Sequence, residues 1–238
     1  MGQYYTPILF TMTGDRAIAS FSSYDYDDNG AKLMEHSYLC NNLVESVVAF
    51  MMSKDRPSTV VWLGDYAELE DDVLPLKNHY AFRSENNKCF SSRDYVEIFN
   101  KAKGVEERQS HTIHPDNEGV KENLPLAGDV IFYNHITKQK LSLREYRKNV
   151  IVHRALSGFD ANKTGYPIDR FIVHPLPLLT SLGNGKGGGD YHGLNMEWVG
   201  AWALHAIEAI PEDSQAANYF REKENWEDIS GIIFEENE

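Results

Sequence analysis

A chain of 238 residues with 42% hydrophobic side chains can bury a sizeable core, which excludes a disordered or low-complexity protein. Its 23 basic residues against 36 acidic ones leave a net charge of −13, the wrong sign for a surface that replaces phosphate counterions. No apolar run approaches the ~18 residues that read as a bilayer span, because Glu45, His205 and Glu208 interrupt the longest stretches.

In chain order, Tyr4 to Met12 is apolar and β-rich, Thr13-Gly14-Asp15 has turn chemistry, and Arg16 to Phe21 alternates. This spacing predicts an opening hairpin. After a polar loop over residues 24–30, Leu33, Met34, Leu39, Leu43, Val47, Val48, Phe50 and Met51 recur at helical spacing, which places a helix core at Asn41 to Ser53. Cys40 borders it and reads as buried packing; with Cys89 the only other cysteine, and no charged-then-apolar leader, free thiols in a cytoplasmic setting are expected. Thr59 to Leu63 is a continuous β-branched and aromatic run ending in Gly64-Asp65-Tyr66, the pattern of a central strand.

Arg93 to Lys103 predicts a short helix and Glu106 to Glu122 a loop. Asp129 to Tyr133 and Leu141 to Leu143 make a second hairpin, followed by a helical turn over Leu143 to Lys148 and a short strand at Ile151-Val152. Arg170 to His174 reads as a firmer strand halted by Pro175 and Pro177. Trp198 to Ile210 suits strand slightly better than helix, and Ile229 to Glu235 suits an edge strand. Paired strands with few helices predict a single α+β domain over residues 1–238, with a mainly antiparallel sheet and a few helices packed on it.

Several motifs are incomplete. Asp25 to Gly30 matches the first half of a calcium loop, but the acidic residue that should close it is missing, and turn chemistry explains the same letters. His111 and His114 are not accompanied by a recognisable third and fourth zinc ligand, and His135-Ile136-Thr137 has no second H-x-T partner. No cofactor is indicated.

The least random stretch is Gly183 to Gly193, six glycines in eleven residues. It lacks the spacing of a P-loop or a dinucleotide fingerprint, but ordering so many glycines is entropically costly unless backbone must approach something closely. Gly185, Lys186, Gly187, Gly188 and Gly189 are therefore candidate ligand-binding residues. The tripeptide Gly-Asp-Tyr occurs both here, at Gly189 to Tyr191, and after the central strand, at Gly64 to Tyr66. Two carboxylates on rigid strand ends can share a site, which nominates Asp65, Asp190 and the adjacent His192 for catalysis and Tyr66 and Tyr191 for ligand contact. Glu35 and His36 border the same kind of loop.

Met1 to Tyr5, Lys32 to Tyr38, Val60 to Tyr66 and Gly183 to Tyr191 together resemble a group of uncharacterised bacterial and phage proteins beginning Met-Gly-Gln-Tyr-Tyr. The resemblance covers most of the chain and implies a prokaryotic or phage origin and a cytoplasmic setting, with no activity or catalytic residue to carry over. Two functions fit the residues. One is a small-molecule-binding protein, hydrolytic or nucleotide-related, with its site near residues 183–193. The other is a non-catalytic acidic protein, for example a phage-encoded inhibitor, that meets a basic host protein. Neither nucleic acid nor membrane is expected as a partner.

Overall fold

A computed structural model describes residues 3–14, 17–21, 23, 32–33, 37–54, 56–67, 90–91, 129–184, 190–223 and 225–235. The opening hairpin forms as its spacing predicts, with β1 (Tyr5–Phe10) antiparallel to β2 (Ala17–Ser20). Along β1 the side chains alternate between two cores: Tyr5 and Leu9 enter the main one, while Ile8 and Phe10 join Val61 and Leu63 in a smaller cluster. The central strand is β3 (Ser58–Gly64), all seven residues buried, and its continuous apolar run reflects a sheet covered on both faces.

The α+β reading holds. All described strands belong to one mixed, mostly antiparallel sheet, in which β4 (Phe90–Ser91), β5 (Val130–Asn134), β6 (Gln139–Ser142), β8 (Ala206–Pro211) and β9 (Glu227–Asp228) complete the order β4-β2-β1-β3-β8-β5-β6-β9. The remaining strand, β7 (Ser181–Leu182), lies parallel to the end of β3.

Helix α1 (Asn42–Met52) starts where Asn41 caps it, its side chain accepting from the amides of Leu43 at 2.9 Å and Val44 at 3.2 Å. Nearly all of its residues are buried, so its apolar composition fills the main core instead of marking one face. Cys40, just before the cap, is exposed, which corrects its assignment to packing.

Four other expectations are corrected. The second hairpin is present as β5 and β6, but the next element is α2 (Leu143–Leu156), a full helix that absorbs the strand expected at Ile151-Val152. Ser142 caps it, accepting from the Glu145 amide at 3.2 Å, and only Tyr146 and Val150 are buried. That narrow stripe hid the helix, and the β-branched run Val150 to Val152 imitated a strand.

The strand expected at Arg170 to His174 is instead a 3₁₀ turn over Ile168–Phe171 and a single bridge from Val173 to Tyr38. Pro175 does not halt a strand; it opens α3 (Pro175–Leu179), where a missing N–H is harmless, and His174 caps the helix through Nδ1 at 3.1 Å from the Leu176 amide.

Only Ala206 onward of the Trp198 to Ile210 stretch is strand. The preceding turns are fastened by Gly200 N–H to Leu178 O, Trp202 N–H to Leu179 O and Leu204 N–H to Val60 O, at 2.7 to 2.9 Å. Gly200 takes a φ of +78°, and a Cβ there would press on the Ser181 carbonyl.

Ile229 to Glu235 forms no strand either. Ile232 and Phe234 are buried, but the carbonyls of Ile233 and Glu235 accept from Asn195, Leu194 and Tyr191, so a loop takes the place of a neighbouring strand. Helix α4 (Gln215–Lys223) and Trp226 cover the outer face of β5 and β8. No helix among the described residues is long and apolar enough to cross a membrane.

Candidate functional site

Three chain segments meet at one end of the sheet because of strand register. Tyr5 at the start of β1 faces Gly64 at the end of β3, and Leu182 at the end of β7 lies beside Leu63. Gln3 before β1, Asp65 after β3 and Gly183 after β7 are therefore neighbours by topology, although they are far apart in sequence.

Gln3 is fully buried and lies in the same inward register as Tyr5, two residues on. Its Oε1 accepts from the Asn184 amide at 3.3 Å and lies 3.3 Å from the Tyr5 hydroxyl. With Oε1 toward the Asn184 N–H, Nε2 faces Gly64. There Nε2 is buried with no hydrogen-bond partner among the described residues. Such a group is costly, so the position is one where a partner is missing.

The Tyr5 hydroxyl donates to Asp190 Oδ1 at 2.6 Å, a short charge-assisted bond inside the fold, where Asp190 is itself only 5% exposed. Burial first, then that bond and the charges of Asp190 and Asp65, push the Tyr5 phenol well above its usual range. Tyr5 is thus a neutral donor at ordinary pH.

Two glycines make this packing possible. A Cβ on Gly64 would collide with the Gln3 amide, and one on Gly183 would collide with the Tyr5 hydroxyl.

The two carboxylates named from the repeated tripeptide both act on this corner, in different ways. Asp190 binds the Tyr5 hydroxyl, and the charge of Asp65 reaches the same group. Asp65 also closes the strand end: its N–H donates to Tyr4 O at 2.9 Å, and its Oδ1 accepts from Tyr4 N–H at 3.1 Å. Tyr66 comes next and is exposed, as is His192. Tyr191 is buried against Phe234, its hydroxyl within 2.6 Å of Leu194 O and 2.9 Å of Glu235 O, so its described contacts are structural. Gly185, Lys186, Gly187, Gly188 and Gly189 lie outside the described residues, as do Glu35, His36, His111, His114, the Asp25 to Gly30 loop and Arg93 to Lys103.

The ends of the glycine-rich segment are nevertheless informative. Asn184 is held by Gln3 and Asp190 by Tyr5, so the chain leaves and returns at two adjacent side chains of one strand edge. The sequence names Asp65 and Asp190, which the fold brings to this corner, but does not single out Gln3 and Tyr5. The signal was available in the pattern, since Gln3 is a polar residue in the buried register of a core strand.

Elsewhere, His135 of the H-x-T element pairs with Glu208 at 2.9 Å on the outer face of β5 and β8, beside Phe220 and Trp226. Among the described residues no group of three or more His, Cys, Asp and Glu side chains is placed to hold a metal ion. The basic run after residue 138 is largely paired: Lys140 with Asp228, Arg144 with Asp129, Glu212 and Asp213, Arg147 with Asp169, and Lys148 with Glu145. Comparison with protein-family models, curated proteins and solved structures finds no match.

Proposed function

We propose that this is a cytoplasmic small-molecule-binding protein whose site lies at the base of the glycine-rich segment, bounded by Gln3, Tyr5, Gly64, Asp65, Gly183 and Asp190. The observation that carries the reading is the Gln3 amide, whose Oε1 accepts from Asn184 and whose Nε2 is a buried donor with no partner among the described residues, near the Tyr5–Asp190 bond. Residues 185–189, with Lys186 among five residues otherwise all glycine, are proposed as further ligand contacts. The pairing of the basic run with carboxylates supports a reading without nucleic acid.

The test is a thermal-shift screen of the full chain with nucleotides, neutral sugars and divalent metals, repeated with Asp190→Asn and Asp65→Asn. Each substitution keeps an oxygen for the bond seen here, from Tyr5 or from the Tyr4 amide. The site predicts a ligand that raises Tm in the parent protein and has at least tenfold weaker binding to Asp190→Asn. A ligand that stabilises all three proteins equally would place binding elsewhere. Full indifference to every ligand would favour the acidic-surface reading, to be followed by capture of a basic partner.

A further inference from the structure

We propose that residues 230–235 form a strap between helix α2 and the returning end of the glycine-rich segment, with Glu235 and Arg154 as positioning residues for Asp190. This role goes beyond binding, because it holds whether or not the site takes a ligand.

The strap is fastened along one face of α2. Asn149 Nδ2 donates to the Ser230 carbonyl at 3.0 Å, and His153, one turn further on, places Nδ1 2.8 Å from Glu235 Oε2. Arg154 Nε lies 2.5 Å from Glu235 Oε1 as an ion pair without hydrogen-bond geometry, and its guanidinium packs 5.0 Å from the Phe159 ring. Between these ends Ile232 and Phe234 are buried in the main core.

While the Glu235 side chain meets α2, its main chain meets the residues that follow Asp190. The Leu194 N–H donates to Glu235 O at 2.9 Å, the Tyr191 hydroxyl lies 2.9 Å from the same oxygen, and Asn195 Nδ2 donates to Ile233 O at 2.8 Å. The Tyr191 ring packs edge-on against Phe234, with 5.6 Å between centroids. Gly193 lies so close that a Cβ there would collide with the Glu235 carbonyl. One residue thus joins α2 to the turn directly after Asp190, whose Oδ1 takes the Tyr5 hydroxyl at 2.6 Å. Residues 230–235 belong to no strand, so a few contacts from loops and side chains hold this turn. Segments held in that way open locally, below the free energy of global unfolding, and each contact then weighs on the opening.

Amide hydrogen exchange of the full chain tests this at Leu194, set against Trp62, whose N–H in the buried strand β3 donates to Thr180 O at 2.8 Å. Gly193→Ala, which forces the Glu235 carbonyl away, should speed Leu194 exchange about tenfold. Arg154→Ala should speed it about threefold, and Arg154→Lys, which keeps the charge, should restore most of the protection. Ile8→Val, in the smaller core, should speed exchange at Trp62 and leave Leu194 unchanged. The Tyr5 ring ¹³C resonances, assigned by their absence in Tyr5→Phe, should shift in Gly193→Ala and Arg154→Ala, because Asp190 moves with the turn.

Equal acceleration of Leu194 and Trp62 by Ile8→Val would make the strap part of the global fold and overturn the proposal. Unchanged Leu194 exchange in Arg154→Ala would overturn the pin at Glu235. A loosened Leu194 with unmoved Tyr5 resonances would overturn the positioning of Asp190. If Gly193→Ala fails to fold, the substitutions at Arg154 decide. No ligand enters the measurement, so these failures are separate from a failure of the binding site.

Discussion

Two buried carboxylates in this fold meet different described partners. Glu212, just after β8, is 7% exposed; its Oε1 accepts from the Ser142 hydroxyl at 3.2 Å and from Arg221 at 3.4 Å, and its Oε2 lies 3.1 Å from Arg144 as an ion pair without a hydrogen bond. Those contacts fasten the cap of α2, the end of β8 and α4 to one another. Asp190, at 5% exposure, takes its described bond from a neutral phenol, beside an amide whose N–H donors meet no described partner. At Glu212 the fold supplies two guanidinium groups and a hydroxyl, and the cluster holds together without a ligand. At Gln3, Nε2 meets no hydrogen-bond partner among the described residues, which is what the proposed recognition site needs.

If that contrast is right, structural polar groups should respond in stability and site groups in binding. The largest expected effect concerns His174, fully buried beside Phe132 as the cap of α3, where burial lowers its pKa to about 3 from 6.5. The folded state excludes a proton that the unfolded state accepts, so the contribution is complete above pH ~6.5 and is lost as pH falls toward ~3. The loss is about 1.4 kcal/mol per pH unit, or roughly 3 kcal/mol by pH 4.5. Urea unfolding at pH 7.5 and 4.5 should show it, and His174→Asn, which keeps a capping oxygen, should flatten that part of the slope.

Next in size, Gly183→Ala should cost about 1 to 3 kcal/mol, because the added Cβ meets the Tyr5 hydroxyl and the Gln3 amide. Chemical denaturation measures this cost, and ligand binding should fall with it. Glu212→Ala should cost about 1 to 2 kcal/mol, moderated because Arg144 and Arg221 are partly exposed and can turn to water. It should leave ligand affinity unchanged, and a large loss of affinity would erase the distinction between the two clusters. The smallest stability change belongs to Gln3→Met, within about 1 kcal/mol, since the loss of an acceptor for Asn184 is offset by removing an unmatched buried donor. A cost of several kcal/mol there would make Gln3 structural.

The sequence was legible where one period or one continuous apolar run dominated. The β1–β2 hairpin, α1, β3 and the β5–β6 hairpin arise from alternation, capping and burial on both sheet faces. It was illegible where the chain draws its hydrogen bonds from distant loops. Residues 199–205 are turns because Leu178, Leu179 and Val60 supply acceptors, and after Ile229, whose N–H reaches Lys140 O, the segment to Glu235 forms no strand because Tyr191, Leu194 and Asn195 donate to its last carbonyls. The site divides in the same way. Asp65 and Asp190 could be named from their glycine and tyrosine neighbours, whereas Gln3 acquires meaning only once β7 brings Asn184 beside it.

The central claim, that the Gln3 amide is kept for a ligand, is tested most directly by its own resonances. In a ¹⁵N-labelled sample the Gln3 side-chain NH₂ pair is assigned by its absence from the spectrum of Gln3→Glu and followed while a ligand found in the thermal-shift screen is added. This pair should shift and become protected from solvent exchange in step with binding. A Gln3 pair that stays fixed while other resonances report saturation would show that the ligand binds elsewhere, and would contradict the claim.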